Sequence, residues 1–432
     1  MDYGIEALAL GTSNKRLLGV NLEDFRSYVF LDPYGRETWT EALQAAIDSL
    51  PMVSAAPLIR NGVVTVPLGD YRIGLGRNGT SQTVNVPMGV TLKGLVCDLS
   101  NNSNLTRQNG SRIIVSNTTG ATIKFQGQFL KGSGCALRDL IFTGGGGKNC
   151  DVIVLDDIFY MSINGCTFEH LDAANAVLCQ SSKGYSCNWI FIEKCTAKII
   201  GDSKTFSYGR GFYLKQCADS YLINCVAESC GSYGFNLGSG MNKMIGCWGD
   251  LSSVGLGVFG TDNMIMGSSF KSNFKSGIVL GNGSSGTQII GCKIFDNNAS
   301  RKVSTAGGFG IDFDSSIQNV SVNACHIGTS MHGTTIQNGG VRLAYKDITA
   351  HFESNFFQNN QGPYGRFYDP NNLIGKSVMV SSANQSGLPF YSTGERPGDA
   401  INGQMVIDST LGKLVWFDKA SNSWKDAMGN VV

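Results

Sequence analysis

Between Gly211 and Asn359 one pattern of apolar and polar positions keeps returning. Gly211-Phe-Tyr-Leu is followed by Leu222-Ile-Asn-Cys225, Gly234-Phe-Asn-Leu by Met244-Ile-Gly-Cys247, and Gly255-Leu-Gly-Val by Ile265-Met-Gly-Ser268. Gly277-Ile-Val-Leu leads to Ile289-Ile-Gly-Cys292, Gly310-Ile-Asp-Phe to Val322-Asn-Ala-Cys325, and Gly340-Val-Arg-Leu to Phe352-Glu-Ser-Asn355. Fainter copies precede them, Val152-Ile-Val-Leu with Ile163-Asn-Gly-Cys166 and Ala176-Val-Leu with Ile192-Glu-Lys-Cys195. The six leading glycines recur at intervals of 23, 21, 22, 33 and 30 residues. A repeat of this length marks a solenoid, and the unit is two short strands joined by polar turns with no helix between them. About 22 residues make one turn of a parallel β-helix, and the two longer intervals mark coils that carry an inserted loop. The first and third residues after each Gly are apolar and alternate with outward ones, the period of a strand with one wet face. The pattern predicts an all-β chain, a right-handed parallel β-helix in which like positions stack coil on coil.

The remaining elements fit around that solenoid. Residues 1–37 read as an irregular lead segment. Thr38–Leu50 reads as an amphipathic helix with Leu43, Ala46, Ile47 and Leu50 on its apolar face, Thr38 as N-cap and Glu41 completing a capping box. A short helix over the open apolar end of a β-helix blocks edge-to-edge pairing, so residues 38–61 are expected to cap the solenoid. Early coils follow at Gln82–Val86, Val90–Leu92, Ile113–Val115, Ala121–Phe125 and Ala136–Phe142, with Ser100–Asn109 as a surface loop. The β-helix is expected over 62–380. A small C-terminal β module follows over 381–432, with three strands and turns at Ser409–Gly412 and Lys419–Asn422.

Composition narrows the function. The 432 residues include 56 Gly and only 16% charged residues, and the net charge of +1 argues against a nucleic-acid surface. No apolar run is long enough to span a bilayer, and the residues after Met1 lack the basic n-region and apolar h-region expected of a signal peptide. The 13 Cys cannot all pair within one chain. Six of them (Cys166, Cys195, Cys225, Cys247, Cys292, Cys325) share one place in the coil, where Ser268 and Asn355 substitute, so they read as a stacked ladder of reduced core thiols folded in a reducing cytoplasm. Two G-x-G-x-x-G strings, Gly74–Gly79 and Gly255–Gly260, precede no helix that would offer its N-terminus to a phosphate. The four His lack H-x-x-x-H spacing. Neither cofactor nor metal is expected.

Two segments carry a family resemblance. Ala42–Asp48 followed by Gly62-Val-Val-Thr-Val-Pro-Leu-Gly-Asp-Tyr-Arg-Ile resembles the entry to the pectate-lyase-like β-helix of bacteriophage tailspikes. The G-D-G-x-x-D-D signature of many relatives is replaced by Asp32-Pro-Tyr-Gly-Arg-Glu, and no role is carried over for its carboxylates. Gly403-Gln-Met-Val-Ile-Asp-Ser-Thr-Leu-Gly-Lys-Leu-Val-Trp-Phe resembles a module at the tip of phage tail fibres and spikes, in which Trp416, Phe417 and Trp424 would pack the unit or meet sugar. The motifs of polygalacturonases and of calcium-dependent pectate lyases are missing apart from Asp156-Asp157. The resemblance implies a homotrimeric spike of the phage tail, assembled in the host cytoplasm. It would attach to another tail or baseplate protein through its N-terminus and act on a bacterial surface polysaccharide. It implies neither membrane insertion nor nucleic-acid binding.

Hydrolysis of a polysaccharide needs two carboxylates, and stacking supplies two candidate pairs. The third residue after the Cys ladder reads Glu169, Lys198, Glu228, Asp250, Lys271 and Phe295. Glu228 and Asp250 become neighbours there, with Trp248 beside them and a lysine on either flank. The alternative reading is a charged ladder that keeps the face soluble. Asp312 and Asp314 lie two residues apart on the outward side of one strand, roughly 7 Å apart, after the insertion Asn297–Gly308 that carries Arg301 and Lys302. They read as an acid/base pair, the first choice for that role because they sit among the insertions, or, equally, as an ion pair of Asp312 with Arg342 on the next coil. Tyr208, Arg210, His332, Tyr364, Arg366 and Tyr368 on loops, with Tyr213, Trp248 and Arg342 on stacked faces, are the substrate-binding candidates. Besides hydrolysis, β-elimination by a lyase and binding without cleavage remain open.

Overall fold

The structure is a computed structural model that describes residues 19–55, 58–95, 110–127, 134–202, 204–299, 308–329, 337–358, 366–371, 373–374, 376–381, 390–391, 393–396, 405–408 and 410–432. Two compact units emerge, Met1–Ser381 and Ser382–Val432.

The first unit is a parallel β-helix with three faces. The first face stacks Tyr221–Ile223, Lys243–Ile245, Met264–Met266, Gln288–Ile290, Val320–Asn323 and Ala350–Glu353. The second stacks Thr196–Ile200, Val226–Cys230, Trp248–Asp250, Ser269–Lys271, Lys293–Phe295, His326–Gly328 and Phe356–Gln358. The third is the recurring Gly-led phrase, Arg210–Leu214, Tyr233–Leu237, Val254–Val258, Ile278–Leu280, Phe309–Phe313 and Gly339–Leu343. Among the described residues the first face belongs to a 15-stranded sheet and the other two to a 20-stranded one. These two faces form one sheet because Ile141–Asp156 and Thr167–Gln180 run unbroken around the corner. The apolar positions of the phrase point inward, and Phe212, Leu214, Phe235, Leu237, Ile278, Leu280, Ile311 and Phe313 have no exposed surface.

The bend between the first and second faces explains the Cys column. The residue before each rung is left-handed, from Gly165 and Lys194 through Asn224, Gly246, Gly267, Gly291 and Ala324 to Ser354, with φ between 51° and 64°. That turn removes a backbone N–H from the sheet ladder. The side chain on the following coil supplies its acceptor: Cys225 N–H donates to Cys247 Sγ at 3.4 Å, Cys247 N–H to Ser268 Oγ at 3.1 Å, and Cys325 N–H to Asn355 Oδ1 at 2.9 Å. A second ladder at the next corner does the same. Cys230 N–H reaches Ser252 Oγ, Ser252 N–H reaches Asn273 Oδ1, Asn273 N–H reaches Asn297 Oδ1, and Asn297 N–H reaches Gln337 Oε1. The twelve described cysteines are buried and unbridged.

The N-terminal end differs from the sequence reading in three ways. The helix is Thr40–Ser49 with Trp39 at the N-cap and no side-chain cap bond. Thr38 is in a strand, paired with Phe30. Glu41 turns away to Arg77 at 2.8 Å, so no capping box forms. The packing of Trp39 edge-on against Tyr71 at 4.9 Å fixes the helix start instead. The lead segment is partly regular: Gly19–Asn21 pairs with Val63–Thr65, and Leu22 is fully buried. Ala136–Phe142 is split, because Asp139 with φ 54° begins the left-handed series. Leu43, Ala46 and Ile47 face the core with no exposure. Gln44 closes the edge of strand Val84–Val86 by accepting from Asn85 N–H at 2.8 Å and donating to Asn85 C=O at 3.2 Å.

In the second unit Met405–Asp408, Lys413–Asp418 and Ser423–Asp426 form an antiparallel meander. Phe417 packs on Trp424 at 5.4 Å, and Trp416 Nε1–H donates to Asp426 C=O at 3.1 Å. Asp408 is sealed beneath Arg396 at 2.5 Å. The loop Ser100–Asn109 lies outside the described residues, as do Arg301, Lys302, His332, Tyr364 and Ser409.

Candidate functional site

Parallel pairing turns sequence columns into spatial columns, so the second face can be read along the solenoid. One outward column runs Thr196, Val226, Trp248, Ser269, Lys293, His326, Phe356, and its neighbour runs Glu169, Lys198, Glu228, Asp250. Glu228 and Asp250 are register partners on adjacent strands, about 4.8 Å apart at the backbone. Lys198 Nζ lies 3.5 Å from Glu228 and Lys271 Nζ lies 3.8 Å from Asp250. The ladder is therefore Lys–Glu–Asp–Lys, two acids held together between two cations. Trp248 is 56% exposed alongside them. Burial pushes the Asp250 carboxyl up to about 6, and the Glu228 charge adds to this. Donation from Lys271 N–H and the Lys271 charge oppose it. Farther along, His326 lies between Phe295 and Phe356, with ring centroids at 4.3 and 4.6 Å. Phe295, His326 and Phe356 lie two, three and four coil steps of about 4.8 Å from Trp248. Phe295 stands in the column that carries the acids, but His326 and Phe356 become members of the surface only when the strands are paired.

The other carboxylate pair occupies a different environment. Asp312 is on the outward column of the third face, between Val279 and Arg342, yet its side chain is closed off. Arg342 Nε–H donates to Asp312 at 2.5 Å and its Nη2 reaches Asp314 at 3.0 Å, while the three side chains are 4%, 8% and 55% exposed for Asp312, Arg342 and Asp314. Ser276 Oγ donates to Asp312 at 3.2 Å. Burial pushes the Asp312 carboxyl up, opposed mainly by the Arg342 charge. The ion-pair alternative is the one realised in the geometry. Arg342 bridges both acids, so of this pair only Asp314 is open to a ligand.

The binding candidates divide similarly. Tyr208 is occupied, since its hydroxyl donates to Asp172; that bond pushes the phenol up to about 12. Arg210 lies over the Tyr213 ring at 4.7 Å on the third face. Residues 201–202 and 204–209 lie at the corner between the second-face strand Thr196–Ile200 and the third-face strand Arg210–Leu214. Gly231 backs onto the carbonyls of Asp202 and Tyr208, and Phe206 packs on Phe274 at 4.0 Å. The corner is thus a ridge between two surfaces, Trp248–Glu228–Asp250 on one side and Arg210–Tyr213 on the other. Tyr368 pairs with Arg342 at the far end of the third face. Among the described residues no group of three or more His, Cys, Asp or Glu is placed to hold a metal ion, and no helix is long and apolar enough to cross a membrane.

No family model and no curated protein matches this chain. Solved structures do. The tailspike protein of E. coli bacteriophage HK620, as a double mutant, aligns with TM-score 0.56 at 15% identity, covering 84% of this chain and 67% of that one. The A-module of the mannuronan C-5 epimerase AlgE4 of Azotobacter vinelandii aligns with TM-score 0.52 at 16% identity, covering 84% of this chain and all of that one. Tailspike protein 2 of an Escherichia coli bacteriophage aligns with TM-score 0.50 at 12% identity, over 74% of this chain and 42% of its own length. At these identities the likeness is one of fold: the chain has the parallel β-helix architecture that these phage tailspikes and the mannuronan C-5 epimerase module share.

Proposed function

We propose that this chain is the β-helix of a phage tailspike that binds a bacterial surface polysaccharide, capsule or O-antigen, and cuts it by hydrolysis, with Glu228 and Asp250 as the carboxylate pair. The observation that carries this reading is the juxtaposition on one open face of two register-paired carboxylates and an exposed tryptophan. Asp250, held protonated to near pH 6, is the general acid that protonates the leaving oxygen, and Glu228 is the base or nucleophile. Retention requires carboxyl groups about 5–5.5 Å apart, and register partners on adjacent strands, about 4.8 Å apart at the backbone, are compatible with it. Trp248 offers a flat surface to a pyranose, and the Phe295–His326–Phe356 group continues that surface along the polymer. Asp312 and Asp314 then serve as a structural brace with Arg342. A homotrimeric spike in the phage tail, attached through its N-terminal part to another tail protein, completes the proposal on the strength of the sequence resemblance.

Product analysis tests it. Purified protein is incubated with a panel of capsular and O-antigen polysaccharides, and reducing ends, ultraviolet absorbance and chain length are followed together. Glu228→Gln and Asp250→Asn are expected to lower the appearance of reducing ends by about 10²–10⁴ while the variants stay folded; Asp314→Asn is expected to keep activity. An ultraviolet-absorbing unsaturated product would replace hydrolysis with elimination. Binding without any shortening would make the face a receptor surface only.

A further inference from the structure

Three buried polar atoms on the third face have no hydrogen-bond partner: Asn175 Oδ1, Arg210 Nε and Asn236 Oδ1. They occupy three consecutive coils. Asn175 pairs in register with Arg210, and Tyr213, on the same strand as Arg210, pairs with Asn236, so the three span roughly 10 Å along the solenoid. Asn175 and Asn236 are only 5% and 4% exposed. Protein interiors satisfy nearly all such atoms, and each exception calls for a reason. The remaining contacts of these side chains do not reach the orphan atoms. Asn175 Nδ2 is committed to Asp151 Oδ1 at 2.6 Å, which leaves its carbonyl oxygen without a partner. The Arg210 guanidinium rests on Tyr213.

The apolar part of the strip is as specific as the polar part. Tyr233 and Phe259 meet edge to face at 5.9 Å. A Cβ at Gly257 would come within 2.7 Å of both rings, and one at Gly281 within 2.3 Å of Phe259. The two glycines let aromatic rings lie directly on the strand floor beside Asn236. Acceptors and a donor on three consecutive coils, flanked by rings, form the usual reception surface for a sugar, whose hydroxyls donate and accept and whose C–H face is apolar.

We propose that this strip is a second glycan-binding site, across the corner of residues 201–202 and 204–209 from Glu228 and Asp250. Sugar hydroxyls donate to Asn175 Oδ1 and Asn236 Oδ1, a hydroxyl or carboxylate oxygen accepts from Arg210 Nε, and the sugar ring rests against Tyr213 and Tyr233. It rests on the reading above only in taking a polysaccharide as the ligand class. The site does not cut; it holds the polymer while the other face works.

An array of purified capsular and O-antigen polysaccharides, probed with the full chain, tests this. Asn236→Leu and Arg210→Met are compared with wild type and with the Glu228→Gln/Asp250→Asn double variant. The expected result is at least a tenfold loss of binding in Asn236→Leu and Arg210→Met, with cleavage of short soluble oligosaccharides unchanged in Asn236→Leu. Thermal stability of Asn236→Leu should be unchanged or higher, since an orphan polar atom has been removed. The double variant keeps the binding. If Asn236→Leu and Arg210→Met bind like wild type, or if no glycan on the array is bound, the second site is overturned. If the double variant loses binding while these two retain it, the bound glycan lies on the other face and the proposal falls while hydrolysis stands.

Discussion

Arg342 serves two acids at once, and its removal should be felt more than its position at the edge of a strand suggests. In Arg342→Met, Asp312 would be left buried without its cation, and removing one partner of a buried pair costs about 3–5 kcal/mol. Denaturant unfolding should register this as a lowered midpoint, and Arg342→Met/Asp312→Leu should recover much of the loss. Equal midpoints for the single variant and wild type would dismiss the brace. Asp250 makes the opposite case. Its folded carboxyl lies near 6, above the unfolded value, so the folded chain binds this proton more tightly. The associated stability is fully present below about pH 4, where both forms are protonated, and is lost as pH rises through 6. At pH 8 Asp250→Asn should be as stable as wild type or more so, by up to about 3 kcal/mol, and at pH 4 the difference should vanish. The rate of cleavage should fall with rising pH through about 6 for the same reason, read directly from reducing ends. The period of a strand located these residues: it put Asp312, Arg342, Glu228 and Asp250 on outward columns. It did not distinguish a covered column from an open one, because cover comes from side chains on other coils, such as Ser276 over Asp312.

At the scale of elements the ladders decide the fold's regularity. Asn273 accepts from Ser252 N–H, donates to Gly249 C=O at 2.9 Å and to Asn297 Oδ1 at 3.0 Å. Asn273→Ala should therefore cost more than a surface substitution, on the order of 1–3 kcal/mol for each buried group left unpaired, measured as a shifted urea midpoint with unchanged slope. An unaltered midpoint would mean that water replaces the amide. The Cys column was legible because its chemistry repeats after each Leu-Ile-Asn type phrase. The second ladder was not, since Cys230, Ser252, Asn273, Asn297 and Gln337 share a position but not one common residue type. The N-terminal helix was found from its apolar stripe, whereas its start was misplaced because aromatic packing of Trp39 on Tyr71 outweighed the cap that Thr38 and Glu41 offered. Gln44, which reads as an ordinary exposed helix residue, turns out to finish a strand edge with its amide.

For the molecule as a whole, the 22-residue period carried most of the architecture, because a solenoid needs only local turns and like-on-like stacking. What it left out were contacts between non-equivalent places, the strip of orphan atoms on the third face and the ridge that separates two outward surfaces. The first unit has its own continuous core from Leu22 to Val378, so a chain ending at Ser381 should melt cooperatively and retain its circular-dichroism spectrum; loss of that transition would show that residues 382–432 are needed for folding.

The ladders also have a direction. In each rung it is the later coil that reaches back: Asn242 to Ser220 N–H, Asn273 to Ser252 N–H, Asn355 to Cys325 N–H. The front of the solenoid is closed by its helix before any rung exists. The last coil of a shortened solenoid thus keeps its corner N–H groups unpaired, and each further coil pairs those of the coil before it. Trimming coils from the far end should uncover one set of corners at each step.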